Sequence, residues 1–87
     1  MKEVIVISDT FYEVDKHNHI YYGANIIAVV NTAGVKSDEI VQEIVEETIA
    51  KASVEKIAKI NKYNDSIDIL YENGNEYHIY IEAKEVF

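Results

Sequence analysis

The sequence predicts an α+β domain in which one main amphipathic helix packs on one face of a mostly antiparallel sheet of about five strands. Three observations carry that expectation. Ser37–Ala52, SDEIVQEIVEETIAKA, repeats its apolar residues at helical spacing. Residues 4–7 and 26–30 are short unbroken runs of β-forming residues. Residues 67–81 alternate apolar and polar positions on both sides of an Asn-Gly pair.

Residues 2–8, KEVIVIS, contain four consecutive β-formers: Val4, Ile5, Val6 and Ile7. Such a run suits an inner strand buried on both faces. Asp9-Thr10 reads as a turn, and residues 11–14 as a short strand. Asp15, Lys16, His17 and Asn18 are polar and turn-prone, so residues 11–22 read as a hairpin. Gly23-Ala24 reads as a break or bulge behind it. Residues 26–30, IIAVV, read as a second inner strand, and residues 31–34 as the loop into the helix.

In the helix, Ile40, Val41, Ile44, Val45, Ile49 and Ala52 form the apolar side. Ser37 can accept a hydrogen bond from a free backbone N–H as the N-cap. Asp38 and Glu39 sit at the positive end of the helix dipole, and Lys51 sits at the negative end. Each large aliphatic contributes roughly 1.5–3 kcal/mol once covered, so the helix depends on the sheet beneath it. Val54, Ile57, Ala58 and Ile60 would fall on a different side if the helix continued, so it should end near Ala52-Ser53. Residues 54–61 are then either a second short helix capped by Ser53 or a strand. The polar turn at 62–65 and the hairpin behind it favour the strand.

In that hairpin, Ile67, Ile69 and Tyr71 match the face of Tyr77, Ile79 and Ile81 only around a three-residue loop, Glu72-Asn73-Gly74. This register pairs Ile69 with Tyr77 and Ile67 with Ile79, and puts Gly74 at the left-handed position of a bulged turn. The expected core is Ile5, Ile7, Ile26, Val29, Ile40, Ile44, Val45, Ile49, Ile69 and Ile79.

A chain of 87 residues makes one domain. Without cysteine it has neither disulfides nor thiolate metal ligands. No apolar stretch reaches bilayer length, and the run at 4–7 is too short for a signal peptide, so a soluble cytoplasmic protein is expected. Sixteen acids face eight lysines and no arginine, giving a formal net charge of −8. That balance disfavours direct nucleic-acid binding, which needs cations to displace counterions, and disfavours an anionic membrane for the same reason. A basic partner is favoured. The charge is also segregated: residues 38–50 hold five acids and no lysine, residues 51–62 four lysines and one acid, and residues 63–87 six acids and one lysine.

Few residues carry the pattern of a reactive site. His17 and His19 stand two apart, and with His78 they could hold a metal, though no helical ligand motif supports them. Residues 31–34 precede a helix but lack the glycine spacing and lysine of a phosphate loop, and Asp38 and Glu39 would repel an anion there. Ser8, Asp9 and the histidines supply triad residue types without a nucleophile elbow. The C-terminal hairpin puts Tyr80, His78 and Glu82 on the face opposite Tyr77, Ile79 and Ile81, an acidic-aromatic surface.

The reading is a small non-enzymatic interaction or inhibitor protein, without cofactor, that docks on a basic protein surface. Its candidate contact residues are Glu39, Glu43, Glu46 and Glu47, joined by Asp68, Tyr80 and Glu82. The partner could be a nucleic-acid-binding protein, since spaced carboxylates can replace phosphates. In size and charge the chain is similar to phage-encoded anti-CRISPR and other nucleic-acid-mimic inhibitors, a likeness of composition alone. An immunity protein fits equally well. The alternatives are a small enzyme or ligand- or metal-binding domain using His17, His19 and His78, and a structural or assembly subunit with a homo-oligomeric sheet edge.

Overall fold

A computed structural model describes the backbone of residues 2–14, 19–32 and 37–86, and the side chains of residues 3–13, 25–32 and 37–85. Six elements follow one another: β1 (Lys2–Val14), β2 (His19–Asn31), α1 (Ser37–Ala52), β3 (Ile57–Lys62), β4 (Ser66–Tyr71) and β5 (Glu76–Val86). The strands form one antiparallel sheet in the order β2-β1-β5-β4-β3. α1 packs on one face of it, as an α+β domain should. α1 has the bounds its periodicity implies and is the only helix among the described residues. The second short helix is not formed, because residues 57–62 pair with β4 as an edge strand. No helix among the described residues is long and apolar enough to cross a membrane.

β1 is an inner strand, held between β2 and β5. Only one of its faces is covered by the helix: Ile7 is buried, while Val4, Ile5 and Val6 are half-buried. Asp9-Thr10 is not a turn. β1 runs straight through it, with Asp9 opposite Asn25 on one side and Ile79 on the other. Ladder partners on both sides outweigh the local turn preference of an Asp-Thr pair. The hairpin expected over residues 11–22 is present, with Phe11 opposite Tyr22 and Tyr12 opposite Tyr21. Its loop, 15–18, lies outside the described residues. Gly23 and Ala24 together oppose Thr10, the two-against-one count of a β-bulge, and Ile27 makes a second irregularity beside Ile7.

Residues 26–30 do not form an inner strand, since β2 is at the sheet edge. Ile26 and Val29 are 70% and 58% exposed rather than core. Val29 pairs with Val6 and Ile26 with Ser8 on the face α1 does not cover, whereas Val30 is buried on the helix side. Ile40 is also not core, at 45% exposed. It lies five residues from the buried Val45, which is about 140° around the helix and therefore away from the sheet. The buried core is Ile7, Val30, Val45, Ile67, Ile69, Tyr71 and Ile79, flanked by the partly buried Ile5, Val41, Ile44 and Ile49.

The β4–β5 hairpin has the expected register, Ile67 opposite Ile79 and Ile69 opposite Tyr77. The loop of Glu72, Asn73 and Gly74 is closed by the Tyr71 amide donating to the Asn75 carbonyl at 2.9 Å. Gly74 has φ 93°, a region where a Cβ is opposed by sterics. Gly74→Ala should therefore destabilise the fold by about 1–2 kcal/mol. Urea unfolding checks this, and an unchanged midpoint would show that the loop relaxes around the methyl group.

Candidate functional site

The helix and sheet differ in length, and this shapes the surface. The 16 residues of α1 span about 24 Å, whereas the 13 residues of β1 span about 43 Å. The first turns of α1 lie near Ile5 and Ile81, and its last turn lies near Asp9 and Tyr77. Three places hold functional side chains: the outer side of α1, the uncovered sheet face, and a cleft under the last turn of α1.

On α1, Val41, Val45, Ile49 and Ala52 meet the core. That orientation turns Glu39, Glu43, Glu46 and Glu47 outward within an arc of about 100°, and all four are exposed. Among the described residues none of them has an ion-pair partner. Glu46 accepts one hydrogen bond, from the Gln42 amide at 3.2 Å.

The other three candidate contact residues lie elsewhere. Asp68, Tyr80 and Glu82 are on the sheet face opposite the helix, because Ile67, Ile69, Ile79 and Ile81 face the core between them. The two groups are thus on opposite sides of the molecule, and one flat partner cannot touch both. Glu82 is exposed and pairs with Lys84 at 3.2 Å. Asp68 and Tyr80 are half-buried in a cluster that the sequence showed only in part. His78 is its hub. Its Nδ1 is 2.8 Å from Asp68 Oδ1, and its Nε2 is 3.3 Å from Glu76 Oε1. The Tyr80 ring stacks on it with centroids 6.2 Å apart, and Tyr12 meets it edge-on at 5.3 Å. The Tyr80 hydroxyl reaches Thr10 Oγ1 at 3.4 Å. Each ring nitrogen of His78 is thus already engaged by a carboxylate.

The backbones of His19 and His78 lie apart in the sheet. His17 lies outside the described residues, as does the side chain of His19. The backbone register sets His19 opposite Val14 and His78 opposite Thr10, four residues or about 13 Å apart along β1. Among the described residues no three His, Asp or Glu side chains form a metal-holding group.

The cleft under the last turn of α1 has a volume of about 390 Å³ and is lined by Asp9, Phe11, Ile27, Lys51, Tyr71 and Tyr77, among others. Two tyrosines organise it. The Tyr71 hydroxyl donates to the Ala52 carbonyl at 2.7 Å, satisfying a free acceptor at the helix C-terminus. The Tyr77 hydroxyl donates to Asp9 Oδ2 at 2.5 Å. Asp9 Oδ1 is buried and bonds to nothing. Asp9 could have been placed here from the sequence: it alternates with Ile5, Ile7 and Phe11, all inward, but only if the strand is known to continue past Ser8.

Both phenols hold their protons above the ordinary value of 10.0. For Tyr77 the main cause is burial, followed by the hydrogen bond to Asp9 and by the charge of Asp9. For Tyr71 it is burial, then the charge of Glu55. A phenol whose folded pKa exceeds its unfolded value favours folding while it is protonated. That contribution is complete below the unfolded pKa and is lost as pH rises through the folded one. Stability should accordingly fall as pH rises above about 10. Urea unfolding across an alkaline pH series checks this, and a flat profile above that pH would contradict it.

The chain matches no family model, no curated protein and no solved structure.

Proposed function

We propose that the protein is a non-enzymatic binding or inhibitor protein whose outer helix side docks on a basic protein surface, such as one that otherwise binds nucleic acid. The observation that carries this reading is the unpaired state of that side. Among the described residues elsewhere, some acids lie beside a cation, Glu72 beside Lys56 and Glu82 beside Lys84, while others such as Glu3 and Asp65 do not; what sets this side apart is four unpaired acids on one helical arc. Glu39, Glu43, Glu46 and Glu47 have no cation beside them among the described residues. Like charges at helical i,i+4 spacing are destabilising by a few tenths of a kcal/mol each, where interspersed lysines would stabilise by about as much. A surface that keeps this repulsion is fitted to a partner that relieves it. Carboxylates spaced along a rigid helix can also occupy a phosphate-binding surface. The reading places the contact on α1, so Asp68, Tyr80 and Glu82 on the far face are not part of it.

The test compares two variants of equal net charge. One reverses Glu43, Glu46 and Glu47 to lysine. The other reverses the exposed Glu3, Asp65 and Glu85 to lysine. Each is used to capture proteins from a lysate of the source cells at low salt, with heparin as a competing polyanion. A partner retained by the parent and the second variant, but weakened at least about tenfold by the first, supports the reading, since about 1.4 kcal/mol suffices for that factor. Heparin and added salt should both release it. Equal capture by all three proteins would refute a role for this side of the helix. Equal loss in both variants would show that net charge alone is at work. Circular dichroism confirms that each variant keeps its helix.

A further inference from the structure

We propose that the cleft beneath the last turn of α1 binds a small organic cation, with its protonated amine on the Asp9 carboxylate and its apolar body against Phe11, Ile27 and Tyr71. This goes beyond the docking surface above and involves none of its glutamates.

The size is suitable: about 390 Å³ falls within the range of about 300–1,000 Å³ typical of ligand clefts. So is the lining, which is mostly aliphatic and aromatic with a few polar groups. Those polar groups decide the ligand's charge. Asp9 is held in place from one side, because Tyr77 donates to Oδ2. Its other oxygen, Oδ1, has neither a hydrogen-bond partner nor solvent contact, so an incoming ammonium reaches it only as the side chains over it part. A buried acceptor left unmet is costly, and more so when it is charged. A ligand that brings an N–H to this carboxylate recovers that cost, which an aliphatic or anionic ligand cannot do. The faces of tyrosine and phenylalanine rings also favour a cation over an anion. With a net charge of −8, the chain raises the local concentration of cations.

Lys51 lines the same cleft, but it is exposed and forms no ion pair with Asp9. Its amine follows the solvent, whereas the carboxylate is pre-positioned. An anionic ligand drawn in by Lys51 would have to approach Asp9 as well.

The test uses the unmodified chain and three probes of similar shape: 2-phenylethylamine, 3-phenylpropionate and 3-phenylpropanol. Amide chemical shifts are followed during titration. The amine should give saturable shifts around Asp9, Phe11, Thr48 and Ala52. The carboxylate and the alcohol should bind at least about tenfold more weakly, a difference of about 1.4 kcal/mol. Asp9→Asn should weaken the amine by a similar factor and leave the alcohol unchanged. If that variant does not fold, the charge series on the parent chain decides alone. The proposal is overturned if the carboxylate binds as well as the amine, which would make Lys51 the anchor. It is overturned equally if the amine shifts only Glu39, Glu43 and their neighbours, or gives no saturable shift up to about 10 mM, where a Kd of about 1 mM would be evident.

Discussion

Ile79→Ala is expected to remove about 2–5 kcal/mol of stability, while Ile26→Ala leaves it almost unchanged. The two residues have the same side chain on strands of the same sheet. Ile79 is fully buried on β5, opposite Ile67 on one neighbour and Asp9 on the other, beneath α1. Removing its outer carbons loses their transfer free energy and leaves a cavity, together about 2–5 kcal/mol. Native stability runs at roughly 0.05–0.15 kcal/mol per residue, so an 87-residue chain has about 4–13 kcal/mol in all. The substitution removes a large fraction of that. Ile26 is mostly exposed on the uncovered face, where a change of this kind stays within about 0.5 kcal/mol. Urea unfolding of both variants decides the matter, and similar midpoints would show that the sheet face beneath the helix is not the stabilising core.

Tyr77→Phe should be the most costly single-atom deletion in the protein. It leaves Asp9 with neither carboxylate oxygen hydrogen-bonded among the described residues. Losing a hydrogen bond to a charged group in such a place costs about 1.5–3 kcal/mol. Asp9→Asn in the same background removes the stranded charge, so the double variant should be more stable than the sum of the single losses implies. Residues in direct contact typically show such coupling at about 0.5–3 kcal/mol. Additive effects in a double-mutant cycle would mean that the short contact between Tyr77 and Asp9 contributes nothing. Tyr77→Phe should also reduce the alkaline loss of stability, because one of the two late-titrating phenols is gone.

Much of the local structure can be read directly from residue spacing. The bounds of α1 follow from its 3.6-residue period. The register of the β4–β5 hairpin follows from matching Ile67 and Ile69 to Ile79 and Tyr77, with Gly74 at the one position that needs a positive φ. The acidic side of α1 was equally legible, since the arc occupied by Glu39, Glu43, Glu46 and Glu47 depends only on helix geometry. The candidate site as a whole was not. Nothing local told that Asp68, Tyr80 and Glu82 would lie on the far side of the sheet from those glutamates, or that His78 would bridge Asp68 and Glu76.

The sequence by itself determined α1, the β4–β5 hairpin and its one tight turn, because each is governed by contacts within a few residues. The tertiary structure decided which faces are covered. Runs without alternation, such as 26–30, carry no mark of which side chain will point inward, and pairing β2 at the edge left Ile26 and Val29 exposed. It also decided that β1 continues through Asp9-Thr10, since the ladder there is completed by β5 from the other end of the chain. The Asp9–Tyr77 pair and the cleft around it arise from that closure. Strand order is a property of long-range pairing, in which the gain from burying one face under a single helix outweighs local preference, and no short stretch of residues encodes it.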